Sequence, residues 1–141
     1  MPLSNAMNSE GVGFFRESDT SPGEFVEIAE VVSWSGPGGQ AAVYDVTHLK
    51  SAGREKRIGM KDEGQLTLEC NFLPKAQSHA ALRTDRSLRR AKKFRIIYTD
   101  TSPASVQEFT AYVQGLQTAG GVNAKISETV TLEITGDVVV T

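Results

Sequence analysis

What most constrains this chain is a two-residue alternation of apolar and polar side chains that recurs along its length. Each run is stopped by glycine or proline. Between Gln65 and Leu73, Leu66, Leu68, Cys70 and Phe72 alternate with Gln65, Thr67, Glu69 and Asn71, and Pro74 closes the run. Successive side chains of a strand point to opposite faces, so this pattern predicts a sheet with one apolar and one polar face. Val106–Leu116 repeats it, with Phe109, Ala111 and Val113 set against Glu108, Thr110, Tyr112 and Gln114. In Lys125–Thr135, Ile126, Val130, Leu132 and Ile134 face one way with Glu128 as an exception, while Thr129, Thr131 and Glu133 face the other. Phe25–Trp34 reads as a further strand whose apolar face is broken by Glu30. Gly36-Pro37-Gly38-Gly39 is a firm stop, and Ala42–Val46 offers a short return strand. Gly11–Arg16 and Phe94–Thr99 bring the total to roughly seven β segments. The expected class is therefore mainly β, a sandwich or barrel-like domain with one α-helix packed on the outside.

That helix is predicted from Ser78, as N-cap, to about Lys93, with Leu82 and Leu88 packing on the sheet. Its remaining surface is basic: Arg83, Arg86, Arg89, Arg90, Lys92 and Lys93 stand against the single Asp85, whereas most acidic residues fall on predicted strands. The chain as a whole carries a net charge of −2, which argues against a dedicated nucleic-acid binder. A segregated charge of this kind favours head-to-tail association. At 141 residues the chain suits a single domain, 1–141, with a flexible N-terminal arm at 1–10 and a valine-rich C-terminal arm at 137–141. The N-terminus reads as lacking a secretory signal, and no apolar run approaches membrane-spanning length, so no membrane partner is expected.

The catalytic inventory is thin. His48 and His79 are far apart, with no cysteine or acidic residue at ligand spacing, so neither a metal nor a cofactor is expected. His79 reads as a surface residue in the first helical turn, and Cys70 as a small buried hydrophobe. Gly36–Gly39 lacks the Lys-Ser/Thr of a phosphate-binding loop, which leaves it a turn. No enzymatic activity is expected. The basic segment 83–93 leaves one alternative, a monomeric or small-oligomer β-barrel that binds nucleic acid through it. The least ordinary stretch is Thr47–Gly64, eighteen residues with dense charge and no clear period, too long for a quiet connector.

Three stretches together resemble the tail tube (major tail) proteins of long-tailed, non-contractile, lambda-like bacteriophages. The first is Phe25–Val31 with the turn Ser35-Gly36-Pro37-Gly38. The second and most specific is Asp45-Val46-Thr47-His48-Leu49 followed by Ser51, Arg54-Glu55, Gly59-Met60, Asp62 and Gly64. The third pairs Phe109–Val113 with Leu132–Gly136. The resemblance implies rings, usually hexameric, that stack into a hollow tube in the virion tail, through which DNA is ejected without specific binding. It also implies that the subunit is made in the bacterial host cytoplasm and assembles with itself, a tape-measure protein, a tail terminator and tail-tip proteins. Within that frame Thr67, Glu69, Thr131 and Glu133 are expected to face the lumen. Residues 47–64 form the expected inter-subunit or inter-ring loop, carried by Thr47, Ser51, Arg54, Glu55, Lys56, Arg57, Gly59, Met60, Lys61, Asp62 and Gly64. Arg54, Glu55, Lys56, Arg57, Lys61 and Asp62 are expected to supply its complementary charge pairs.

Overall fold

The computed structural model describes residues 11–21, 23–100 and 103–141. The expected arm at 1–10 lies outside the described residues. Among the described residues nine strands and one helix follow one another: β1 (Gly13–Glu17), β2 (Phe25–Glu27), β3 (Val31–Ser35), β4 (Gln40–Asp45), β5 (Lys56–Asp62), β6 (Gln65–Asn71), α1 (Gln77–Leu88), β7 (Ala91–Tyr98), β8 (Ser105–Gly121) and β9 (Ala124–Val140). Seven of these strands form one antiparallel sheet in the order β2-β1-β7-β8-β9-β6-β3, and β4 pairs with β5 in a separate two-stranded sheet.

The alternation resolves as expected where one face is buried. Leu66, Leu68 and Cys70 of β6, Phe109, Ala111 and Val113 of β8, and Val130, Leu132 and Ile134 of β9 all enter the core with Phe14, Phe94 and Ile96. Burying a side chain of this size contributes about 1.5–3 kcal/mol relative to leaving it in water. Strand ends depart from the sequence reading. The expected strand Phe25–Trp34 is two strands at opposite edges of the sheet, because Glu30 takes a left-handed backbone (φ 53°) and turns the chain. The connector is bonded on both sides: the Ile28 amide donates to the Phe14 carbonyl at 2.7 Å, and the Asn71 amide to the Glu30 carbonyl at 3.1 Å. Its two anchors draw the sheet edges together into a curled, barrel-like body, and Phe14 meets Trp34 edge-on across the seam at 5.3 Å.

Helix α1 closes the core and is shorter than its charge pattern suggests. It ends at Leu88, Arg89 adopts the left-handed conformation (φ 54°), and Lys92 and Lys93 belong to β7. Ser78 is not the N-cap. Ala76 holds that position, and the Ser78 hydroxyl instead accepts the Ala29 amide at 3.2 Å. Leu82 is fully buried, whereas Leu88 is 59% exposed and does not pack on the sheet. The buried face is Ser78, His79, Leu82 and Asp85, so three of its four contacts are polar and leave no apolar stripe to read. His79 is buried rather than superficial, and its Nε2 donates to the Ala29 carbonyl at 2.8 Å.

The C-terminus is not a free arm. Strand β9 runs to Val140, pairs Val139 with Glu108 of β8, and rejoins the ladder after a register shift near Gly136.

Candidate assembly surfaces

Residues 47–64 are not an unstructured loop. Lys56–Asp62 is β5, and with β4 it makes a ribbon whose register runs from Gln40 opposite Asp62 to Asp45 opposite Lys56. Because β3 pairs with β6, the four strands are one long hairpin with a joint at 36–39 and 63–64. Two glycines fix that joint. A Cβ on Gly36 (φ 104°) would strike the Gln65 carbonyl, and one on Gly64 (φ 76°) the Gly38 carbonyl. Beyond the joint the ribbon is wet on both faces, with only Ala41, Ser51 and Gly59 partly covered. Val43 stands opposite Ile58 on one face, and the register shift between that pair and Ala41 opposite Lys61 interrupts the alternation ahead of Met60; Ile58 and Met60 are 77% and 91% exposed.

The loop's charges have partners within the chain. Arg54 donates to Asp45 at 2.8 Å, Glu55 lies 3.4 Å from His48, and Lys61 lies 3.1 Å from Asp137. Asp62 accepts the Gly64 amide at 2.9 Å, and Thr47 accepts the Glu55 amide at 2.9 Å. Within the subunit these groups stiffen the ribbon or tether it to β9. Lys56 stands opposite Asp45 and Arg57 opposite Tyr44, whose ring lies over Gly59.

A second surface is the polar face of the sheet. Thr67 stands opposite Thr131 and Gln65 opposite Glu133, so Thr67, Glu69, Thr131 and Glu133 share one face across β6 and β9. Gln65 Nε2 donates to Glu133 at 2.8 Å and to Gln114 at 2.7 Å, and Ser33 donates to Glu69 at 3.3 Å. Further along, Arg95 pairs with Glu108 at 3.1 Å and covers the Phe25 ring at 4.0 Å.

The third surface is organised around a buried charge network that the sequence reading did not anticipate. Arg16, 4% exposed, occupies a core-facing position of β1, and its Nε and Nη2 bind the Asp85 carboxylate at 2.5 and 2.7 Å. Arg90 adds a third bond to Asp85 at 2.7 Å. Asp19 is shared by Arg16, Arg90 and Lys92 at 3.1, 3.1 and 2.7 Å. Burial works to lower the Arg16 pKa, but the hydrogen bonds and charges of Asp85 and Asp19 outweigh it and hold it above the ordinary value. The Lys92 hydrogen bond, opposed by desolvation and joined by Arg16, brings Asp19 down from 3.8 to about 2. A carboxylate so depressed stabilises the fold above its ordinary pKa and loses that contribution as pH falls through the folded value. Urea midpoints are therefore expected to drop between about pH 4 and pH 2, and Asp19→Asn is expected to flatten that part of the profile. An unchanged acid slope in the variant would contradict the assignment.

Chemistry has little purchase elsewhere. Burial, then the charges of Glu128 and Glu69, push the Cys70 thiol up to about 11, far from a reactive thiolate. Among the described residues no three His, Cys, Asp or Glu side chains converge as metal ligands. No helix among them is long and apolar enough to cross a membrane.

Residues 5–107 match the family described as phage tail tube, TTP, lambda-like. The chain belongs to that tail tube family. It is a structural subunit of the tail tube and a component of the virion tail. No curated protein matches its sequence. Solved structures share the tail tube fold. The tail of an empty gene transfer agent particle, refined with C6 symmetry, is 19% identical, with 96% of this chain and 99% of that chain covered at a TM-score of 0.77. The SPP1 tail tube is 13% identical, with coverages of 96% and 79% and a TM-score of 0.74. A sheath/tube terminator of an extracellular contractile injection system is 13% identical, with both chains covered to 99% and a TM-score of 0.75.

Proposed function

We propose that this subunit closes into rings, hexameric like the C6-refined tail of the gene transfer agent, and that the rings stack into a tube that conducts DNA. The observation that carries this reading is a pair of sheet edges left unpaired among the described residues. Strand β7 begins opposite Tyr112, so β8 beyond that point, from Val113 to Gly121, is paired only with β9 among the described residues. At the other end β3 is an edge strand. Exposed edges invite pairing, and joining them around a ring removes both. Each copy would then contribute β3, β6, β9 and the far half of β8 to a continuous wall.

The polar face of that wall is the natural lining, with Thr67, Glu69, Thr131 and Glu133 facing the lumen and α1 outside. Glu69 and Glu133 would repel a phosphate backbone, letting DNA slide without specific binding. The β4–β5 ribbon, with Val43, Ile58 and Met60 exposed and its shape held by its own ion pairs, is the contact between subunits or successive rings. The full chain 1–141 acts as a single tail tube domain. Its remaining partners are the tape-measure protein, a terminator and tail-tip proteins, and its role is mechanical, without catalysis or a cofactor.

Negative-stain microscopy of the purified protein tests this directly, with rings or tubes as the expected result. A persistent monomer giving salt-sensitive gel shifts with DNA would favour nucleic-acid binding through 83–93 instead. Within that segment Arg90 and Lys92 are already engaged by Asp19 and Asp85.

A further inference from the structure

Helix α1 carries a basic flank that the described residues leave without carboxylate partners. Arg16, Arg90 and Lys92 use up the charge of Asp19 and Asp85, and among the described residues Arg86 and Arg89 meet no carboxylate. Arg83 and Arg86 line an open groove of about 470 Å³ between α1 and the far half of the β8–β9 hairpin, with Leu116, Thr118 and Glu128 opposite. Two buried atoms beside this groove have no hydrogen-bond partner: Arg83 Nη1 and Glu128 Oε1. Arg83 Nη2 donates to the Pro74 carbonyl at 2.6 Å, and Glu128 is only 2% exposed. Buried polar atoms are normally satisfied, so a segment bringing both an acceptor and a donor fits here.

The same chain displays such a segment. Strand β2 is a further edge of the sheet among the described residues, so part of its backbone N–H and C=O groups faces away from β1. Its Glu27 and the adjoining Glu24 are exposed and have no cation partner among the described residues. Val26, between them, is 49% exposed. The two features sit on opposite flanks of one helix: Gln77 and Ala81 line a pocket with Val26, while Arg83 and Arg86 line the groove with Leu116 and Thr118. Complementary patches on opposite flanks make a head-to-tail contact, the kind that closes a ring.

We propose that the α1/β8–β9 groove is the socket for the β2 edge of the next copy in the ring, Arg83 and Arg86 taking Glu24 and Glu27 while a β2 backbone amide satisfies Glu128. This rests on the ring reading above. Arg83→Glu with Arg86→Glu is expected to raise the concentration needed for assembly at least tenfold, and Glu24→Arg with Glu27→Arg to do the same. Mixing the two variants in one chain restores assembly. Should loss of the Arg83 bond to Pro74 unfold the first variant, Arg86→Glu with Arg89→Glu leaves that bond intact and is expected to weaken assembly likewise. Folded single-side variants that assemble as the parent does, or a combined variant that stays folded and fails to recover, overturn the pairing and leave the ring reading standing. Normal assembly with lost retention of double-stranded DNA at low salt overturns it in favour of a nucleic-acid occupant. A folded parent chain that never forms rings defeats the ring reading, and the socket with it.

Discussion

Replacing Asp85 with alanine is expected to lower the stability of the subunit by about 3–5 kcal/mol, the range for removing one partner of a buried ion pair. Asp85 is 1% exposed and holds three hydrogen bonds from Arg16 and Arg90. Without it, the Arg16 guanidinium keeps its buried place on β1 with only the half-exposed Asp19 to balance it. The melting temperature is expected to fall by roughly 10–15 °C for a domain of this size. Arg16→Met combined with Asp85→Leu is expected to recover most of the loss, since apolar replacements of similar volume leave no stranded charge. Calorimetry of the variants checks both statements. A loss below about 1 kcal/mol, the usual worth of an exposed pair, would show that water reaches the site.

Aspartate at both Ile58 and Met60 is expected to stop tube growth while leaving a folded subunit. Both side chains are more than three-quarters exposed on a ribbon that reaches the rest of the chain chiefly through its joint and Lys61, so their loss removes almost nothing from the fold. If each is buried against a neighbouring copy, about 1.5–3 kcal/mol apiece is forfeited. The assembly constant then falls by roughly 100-fold or more for the two residues together. Sedimentation gives the polymer fraction and a thermal melt confirms the fold; normal tubes from this variant would remove the ribbon from the interface. Charge reversal at Arg54 and Glu55 is a poorer probe, because their partners Asp45 and His48 belong to the same ribbon tip.

Alternation was legible wherever a strand has one dry face. Leu66, Leu68 and Cys70 on β6, or Val130, Leu132 and Ile134 on β9, are placed by their spacing alone. Strand β5 was not legible: it pairs with β4 across a register shift and is wet on both sides. Periodicity reports burial, and a ribbon wet on both sides has no reason to alternate. The helix misled for the opposite reason. Apart from Leu82 its buried contacts are Ser78, His79 and Asp85, and hydrogen-bonded polar residues leave no apolar stripe, while the exposed Leu88 looks as though it should pack. The basic run through Lys93 suggested one long helix, but strand pairing from Ala91 onward prevails over local propensity.

The sequence by itself therefore determined the class of the fold, the core faces of its half-buried strands and, through the Asp45–Gly64 motif, the tail tube family. Tertiary structure alone decided that β2 and β3 lie at opposite edges of a curled sheet, that β4 and β5 project as a ribbon, and that Arg16 finds Asp85 inside the core. The physical reason is one of range. Burial repeats every two residues and is written locally, whereas edge pairing, ribbon projection and ion pairing join residues distant in the chain and leave no periodic trace in it.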